Sequence, residues 1–176
     1  LTSHPKKCIV LDLDNTLWGG VVGESGIDGI QLGPTPEGRP YLEFQRYLKS
    51  LSLDGVILAV NSKNNFNDAM DVIQNHPYMI LKEDVFSSVR INWDDKVSNL
   101  RSIAGEINIG LDSVVFFDDD PINRDMVKKF LPEVTVVDLP IDPSLYVKSL
   151  IELNCFDKLS ITNEDKKKSS ILLEQK

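Results

Sequence analysis

The chain has 176 residues, of which 41% are hydrophobic and 26% are charged, a composition typical of one globular domain. Its formal net charge of −8 argues against a nucleic-acid-binding surface, which would need a basic patch. No apolar segment reaches the roughly 18 residues that a membrane-spanning helix requires, so we expect no membrane contact. The two cysteines, Cys8 and Cys155, do not form a Cys-x-x-Cys pair. A disulfide framework or zinc site is therefore unexpected, and a reducing cytoplasm is the predicted location.

Apolar runs that suit β-strands alternate along the chain with segments of helical periodicity. The predicted strands are residues 9–13, 55–60, 85–91, 113–117 and 134–137. The predicted helices are residues 41–51, 66–75, 96–107, 123–130 and 143–153. Because the strands are almost entirely apolar and alternate with helices, we predict an α/β fold with a doubly wound parallel sheet.

One segment, residues 18–33, interrupts this alternation directly after the first strand. It is rich in glycine and has no helical periodicity, so we predict a short glycine-rich flap or hairpin and no large cap domain. We expect residues 1–160 to form a monomeric catalytic domain and the charged residues 161–176 to form a C-terminal tail or linker. Because the sequence begins at Leu1 and not at Met, we expect this domain to be part of a longer protein.

Polar residues follow three of the predicted strands, where a parallel sheet binds its ligands. Asp12 and Asp14 end the first strand, and residues i and i+2 of an extended chain point to the same side. Two converging carboxylates need a cation or a shared proton. Residues 61–64 follow the second strand, and Asp118 and Asp119 follow the fourth. This pattern predicts a magnesium site for phosphoryl transfer.

Each of these groups suits one part of phosphoryl transfer through an aspartyl-phosphate. We predict that Asp12 attacks phosphorus in line and that Asp14 first protonates the leaving oxygen and later activates water. Ser62 would bind phosphoryl oxygens and Lys96 would neutralise their charge. Further predicted phosphate-binding residues are Thr16, Lys63 and Asn64. The predicted magnesium ligands are Asp12, Asp14, Asp118 and Asp119. Of Asp118 and Asp119, we expect one to bind the ion directly and the other to bind it through water.

Residues 6–137 resemble the haloacid dehalogenase superfamily of phosphatases and phosphotransferases. Its first motif, Asp-x-Asp-x-Thr, corresponds to residues 12–16. Its other motifs are a Ser or Thr after the second strand, a Lys, and an acidic pair after the fourth strand, and they correspond to Ser62, Lys96 and the pair Asp118 and Asp119. The resemblance implies a magnesium-dependent enzyme acting on a small phosphorylated substrate.

The chain also resembles a narrower group, the FkbH-like domains of polyketide and related assembly lines. The resemblance is carried by residues 8–24, 62–64, 91–93 and 118–121, with Asp120 at a position where the group more often has Asn. It implies that the domain takes 1,3-bisphosphoglycerate, removes its phosphate, and delivers the glyceryl unit to an acyl carrier protein through a cysteine thioester.

Either cysteine could carry that acyl group. Cys8 lies four residues before Asp12 in the first strand, where we expect it to be buried as a small hydrophobic residue. Cys155 follows the last predicted strand, which makes it the better thioester candidate.

Three alternative functions share parts of this residue pattern. A plain aspartyl-phosphate phosphohydrolase would use the same residues without acyl transfer. A phosphorylation-switched receiver domain would carry its acceptor aspartate after the third strand, and no acidic residue of that kind is found there. A domain kept only for docking would not need an intact set of catalytic residues.

Overall fold

A five-stranded parallel sheet forms the centre of the molecule, in the strand order β3-β2-β1-β4-β5. The computed structural model describes residues 6–153. Its strands are β1 (Cys8–Leu11), β2 (Ile57–Lys63), β3 (Phe86–Asn92), β4 (Val114–Phe117) and β5 (Thr135–Val136). Its α-helices are α1 (Val22–Gly29), α2 (Arg39–Leu53), α3 (Phe66–Asn75), α4 (Lys96–Ile107), α5 (Pro121–Phe130) and α6 (Tyr146–Glu152). The predicted doubly wound α/β fold is confirmed.

The central strand β1 has no exposed residue, because it pairs with β2 on one side and β4 on the other and is covered on both faces. Ile9 and Leu11 pack into a hydrophobic cluster with residues of α2, α3 and α6. Cys8 and Val10 point to the opposite face and pack with residues of α4 and α5. From β1 the sheet is extended on one side by β2 and β3 and on the other side by β4 and β5. This reversal of strand order leaves a crevice beyond the carboxyl end of β1.

Helix α6 is joined to the sheet by an aromatic cluster. The ring of Phe44 in α2 stacks on Phe117 at the end of β4, with a centroid separation of 4.7 Å. The ring of Tyr146 meets both of them edge to face at 5.4 Å. Such pairs stabilise packing beyond the burial of their area, so the start of α6 is held close to the carboxyl ends of β1 and β4.

The structure corrects several details of the predicted elements. The first strand ends at Leu11 and not at residue 13, so Asp12 and Asp14 follow the strand. Residues 18–33 form a flap, but α1 lies within it, with non-helical dihedral angles at Gly26. The flap is closed at its base by two backbone hydrogen bonds of 2.8 Å between Gly19 and Gln31. Strand β2 continues to Lys63, three residues beyond the predicted end, because β3 pairs with it up to that residue. Within residues 6–153 no segment forms a separate cap domain, and none of the helices is long and apolar enough to span a membrane.

Candidate functional site

A depression of about 260 Å³ lies at the carboxyl ends of β1 and β4. Charged side chains dominate its floor, namely those of Asp12, Asp14, Lys96 and Asp119. Its remaining lining residues are Asn15, Val21, Lys63, Asp120 and Asn123. The residues predicted from three separate parts of the sequence are therefore brought into one small volume by the parallel sheet.

Three carboxylates form a tight cluster in this depression. One oxygen atom each from Asp12, Asp118 and Asp119 lies within 4.8 Å of the others. Burial, followed by the charge of Asp12, raises the pKa of Asp118 to about 6 and that of Asp119 to about 8. Three converging oxygen ligands suit a hard divalent cation that keeps several of its waters. The chemistry of this donor set therefore fits Mg²⁺, and a cation would relieve the repulsion that raises both pKa values.

The side chain of Lys96 supplies the positive charge of the cluster. Its Nζ lies 3.2 Å from Asp12 Oδ1 and 2.9 Å from Asp118 Oδ2, and it also donates to the carbonyl oxygen of Asn61 at 2.6 Å. Burial lowers its pKa, but the charges of Asp12 and Asp118 outweigh that effect and the pKa is raised. Lys96 is therefore a fixed cation, held between the carboxylates of two strands.

Asp14 has different partners from Asp12. Its Oδ1 accepts hydrogen bonds from Trp18 Nε1 at 2.9 Å and from the backbone N–H of Val22 at 3.0 Å. Its Oδ2 accepts from Asn64 Nδ2 at 2.9 Å. Burial raises its pKa, although these three bonds act in the opposite direction. Asp14 lines the depression but is not one of the three clustered carboxylates, so the structure separates it from the other predicted metal ligands.

The loop that follows Asp14 is held on two sides. Asn15 adopts a left-handed conformation with φ +57°, and its side-chain oxygen accepts from the backbone N–H of Gly20 at 2.8 Å. Its carbonyl oxygen accepts from the hydroxyl of Tyr146 at 3.0 Å. The flap and helix α6 thus both fix the loop that directly follows the predicted catalytic Asp14. The sequence contained no local signal for the contact with Tyr146, which lies 131 residues away.

Among the predicted phosphate-binding residues, Lys63 and Lys96 line the depression, whereas Thr16, Ser62 and Asn64 do not. Lys63 is exposed and lines it. Ser62 is buried, and its Oγ has no hydrogen-bond partner among the described residues. Thr16 is fully buried and donates to Asp119 Oδ1 at the long distance of 3.4 Å, whereas Asn64 holds Asp14. An unpaired buried hydroxyl is costly, and a ligand oxygen that accepts from Ser62 would remove that cost.

The structure describes the surroundings of one of the two cysteines. Cys8 is fully buried within the sheet, and desolvation raises the pKa of its thiol to about 12. The expectation of a small hydrophobic residue is confirmed, since a thiol in this environment is not a nucleophile near neutral pH. Cys155 lies outside the described residues.

Sequence reasoning missed two further contributors from α5. Asn123 Nδ2 donates to Asp118 Oδ2 at 3.3 Å. Arg124 Nη1 donates to the carbonyl oxygens of Asp118 at 3.1 Å and Asp119 at 2.9 Å. Asp120 caps the start of the same helix by accepting from the backbone N–H of Ile122, as expected of an aspartate before a proline. The Asp-Pro cap is a sequence signal for these two contacts, because it predicts that the first turn of α5 begins beside Asp118 and Asp119.

Comparisons with known proteins agree with this geometry. A crystal structure from Bacteroides fragilis, described as the N-terminal part of the protein BF1531 containing a phosphatase domain complexed with Mg, is 47% identical with a TM-score of 0.83. The match covers 86% of this chain and 40% of that one, so this chain spans less than half of its relative.

A second solved structure, an uncharacterized protein from Corynebacterium glutamicum, is 13% identical with a TM-score of 0.53, and the match covers 86% of this chain and 95% of that one. At that identity the likeness concerns the fold alone. A comparison with curated proteins gave no significant match. Residues 7–134, most of the described structure, match the NLI interacting factor-like phosphatases. The chain belongs to this phosphatase family, which has the haloacid dehalogenase-like fold.

Proposed function

We propose that this domain is a Mg²⁺-dependent phosphatase that acts on a small phosphorylated substrate through an aspartyl-phosphate on Asp12. The observation that carries this proposal is the position of Lys96 Nζ, which lies between Asp12 and Asp118 beside a three-carboxylate cluster. A carboxylate fixed by one cation and adjacent to a site for a second is suited to attack an anionic phosphoryl group. The relative crystallised with Mg supports the choice of metal.

In the first step, an ionised oxygen of Asp12 forms a bond to phosphorus while the bond from phosphorus to the leaving oxygen breaks. Asp14, which lines the same depression, gives its proton to the departing oxygen. In the second step, Asp14 takes a proton from a water molecule whose oxygen attacks the phosphorus of phospho-Asp12. Inorganic phosphate leaves, and Asp12 and Asp14 return to their starting states.

The surroundings of Asp14 are compatible with both of its roles. Burial raises its pKa, which favours the protonated form needed in the first step. Hydrogen bonds from Val22 and Trp18 stabilise the ionised form needed in the second. The same bonds fix the carboxylate in one orientation, which matters because proton transfer requires hydrogen-bond distance.

Positive charge and hydrogen bonds balance the charge of the transferring group. Lys96 keeps Asp12 oriented, and it would also contact a phosphoryl oxygen bound at that carboxylate. The free hydroxyl of Ser62 is the second donor that we assign to the phosphoryl group. Mg²⁺ held by Asp12, Asp118 and Asp119 would supply further positive charge to the phosphoryl oxygens.

Phosphate release from acetyl phosphate, with Mg²⁺ and with EDTA, tests this proposal. Wild type would be compared with Asp12→Asn and with the matched control Asp138→Asn, which changes a carboxylate on the surface. We expect Mg²⁺-dependent release by wild type and by the control, and none by Asp12→Asn. Acid-quenched wild type should also carry a phosphate adduct on residue 12 by mass spectrometry. Release by Asp12→Asn at the wild-type rate would contradict the proposed nucleophile.

We further propose that the physiological reaction transfers an acyl group from a three-carbon acyl phosphate such as 1,3-bisphosphoglycerate to an acyl carrier protein. In this reaction a cysteine thiol attacks the acyl carbon, the bond from that carbon to the phosphate oxygen breaks, and inorganic phosphate leaves. Asp12 then removes only the remaining phosphate ester, and the thiol of the carrier takes the acyl group from the cysteine. Support comes from the resemblance of residues 8–24 to the FkbH-like domains and from the absence of a cap within residues 6–153, which leaves the depression accessible to a carrier arm. The buried thiol of Cys8 is a poor candidate for the thioester, so we assign that role to Cys155. Hydrolysis to free phosphate and acid is the alternative.

Intact-protein mass spectrometry distinguishes these two reactions. Wild type, Cys8→Ala and Cys155→Ala would each be incubated with Mg²⁺ and 1,3-bisphosphoglycerate made enzymatically, and then with a carrier protein. A glyceryl adduct that is lost only in Cys155→Ala and passes to the carrier would support acyl transfer. Phosphate release without an adduct in any variant would leave the plain phosphatase.

A further inference from the structure

A second cavity, of about 460 Å³, lies next to the catalytic depression. We call it the side cavity. Asn15 and Asp119 line both spaces, so the two adjoin each other. A third hollow near Phe66 and Trp93 shares no lining residue with the depression. A group attached to a phosphate in the depression would therefore extend towards the side cavity.

The walls of the side cavity are mainly apolar. They are formed by side chains of the segment from Leu139 to Ile141 and by the rings of Tyr41 and Tyr146, which meet edge to face at 6.2 Å. Ile141 is fully exposed at this cavity, although it is a large hydrophobic residue. Apolar side chains that surround a concave space beside a charged centre are typical of a site for the carbon part of a ligand.

One cation, Arg124, lies among these apolar groups. Its Nη1 is bound by the carbonyl oxygens of Asp118 and Asp119. Its Nε and Nη2 make no hydrogen bond to another residue of the described part of the chain. An oxygen of a bound molecule could therefore accept from this guanidinium without displacing an existing bond.

The side cavity and the catalytic depression differ in how much of each lies in the segment that matches the phosphatase family. The match to the phosphatase family ends at residue 134, whereas Leu139, Pro140, Ile141 and Tyr146 come after it. The catalytic depression belongs to the part of the chain that the family shares. Most of the apolar wall belongs to a segment outside that match.

We propose that the side cavity binds the organic part of the phosphorylated substrate, and that this part is a largely apolar group with one carbonyl or carboxylate oxygen directed at Arg124. This inference rests on the proposed phosphatase function and is an alternative to the acyl-transfer proposal, because a glyceryl unit is not largely apolar. It adds that substrates are selected by the group that carries the phosphate. The depression of about 260 Å³ accepts the phosphoryl group, and the side cavity accepts what extends from it.

Equilibrium binding of phosphonates tests the proposal without turnover, because their P–C bond is not hydrolysed. Titration calorimetry with Mg²⁺ would compare methylphosphonate, benzylphosphonate and 4-(phosphonomethyl)benzoate. We expect benzylphosphonate to bind at least about tenfold more tightly than methylphosphonate, since its ring is buried. The added carboxylate should increase the affinity again. Equal binding of the first two probes would overturn the apolar part of the proposal, and weaker binding of the third would overturn the assignment to Arg124.

Two variants locate the effect. Leu139→Trp fills the cavity, and Ile141→Asp adds a charge at a fully exposed position where folding is not at risk. Both should weaken benzylphosphonate binding at least about threefold and leave methylphosphonate within a factor of two. The matched control is Leu53→Asp, an exposed leucine at the end of α2, and it should change neither.

Unchanged benzylphosphonate binding in Ile141→Asp and Leu139→Trp would overturn the proposal. If wild type bound no phosphonate in the presence of Mg²⁺, the phosphoryl site itself would be refuted, together with the proposed function. A working phosphoryl site without discrimination between the probes would refute the side cavity alone.

Discussion

Raising the pH should strengthen the stabilisation of this domain by Mg²⁺. In the metal-free protein, burial and neighbouring carboxylates raise the pKa of Asp119 to about 8 and that of Asp118 to about 6. Both values lie above those expected in the unfolded chain, so the folded protein keeps protons that the unfolded protein has lost. The stability that these protons contribute is complete at low pH and is lost as the pH rises through the folded pKa values.

Mg²⁺ must displace the same protons in order to bind. At pH 6, removing a proton from a group whose pKa is about 8 costs about two pKa units, or roughly 3 kcal/mol, which weakens binding on the order of a hundredfold. A Mg²⁺ concentration about a hundred times Kd at pH 8.5 stabilises the fold by roughly 3 kcal/mol, and the same concentration at pH 6 by less than about 1 kcal/mol. For a domain of this size, these energies correspond to increases in Tm of about 5–10 °C and about 1 °C.

Thermal unfolding followed by circular dichroism, with Mg²⁺ and with EDTA at both pH values, measures these differences. Asp119→Asn removes the carboxylate with the higher pKa, so its response to Mg²⁺ should be small at both pH values. Glu133→Gln, a change on an exposed residue, is the control and should behave as wild type. An increase in Tm of equal size at pH 6 and pH 8.5, or a wild-type response in Asp119→Asn, would refute the reasoning.

Three further variants test individual groups of the site. Lys96→Met removes the buried cation next to Asp12, so it should lower the rate of phosphate release about 10²–10³-fold, and urea unfolding should show a loss of about 3–5 kcal/mol. Ser62→Ala should lower kcat about tenfold or more without lowering Tm, since its Oγ has no partner among the described residues; an unchanged kcat would remove Ser62 from the site. Trp18→Phe deletes one hydrogen bond to Asp14 and should raise the pKa of that carboxyl. The acidic limb of the pH–rate profile for phospho-enzyme hydrolysis should then move up by about one unit, and an unmoved limb would speak against Asp14 as the base.

The sequence determined the sheet and the location of its site because both depend on local patterns. Almost entirely apolar runs that alternate with helices are compatible with a parallel sheet covered on both faces, and the structure has that sheet. Since such strands place their carboxyl ends at one edge, Asp12, Lys96 and Asp118 could be assigned to one site before their distances were known. The buried state of Cys8 followed from the same pattern.

Tertiary structure alone decided how the site is completed, because those contacts join residues far apart in the chain and leave no periodic signal. Hydrogen bonds from Asn64 and the flap hold Asp14 outside the three-carboxylate cluster, although its spacing from Asp12 suggested a shared metal. The bond from Tyr146 to Asn15 and the side cavity both depend on where α6 packs against the sheet. Spacing within one strand predicts which side chains share a face, but only packing determines which of their atoms meet.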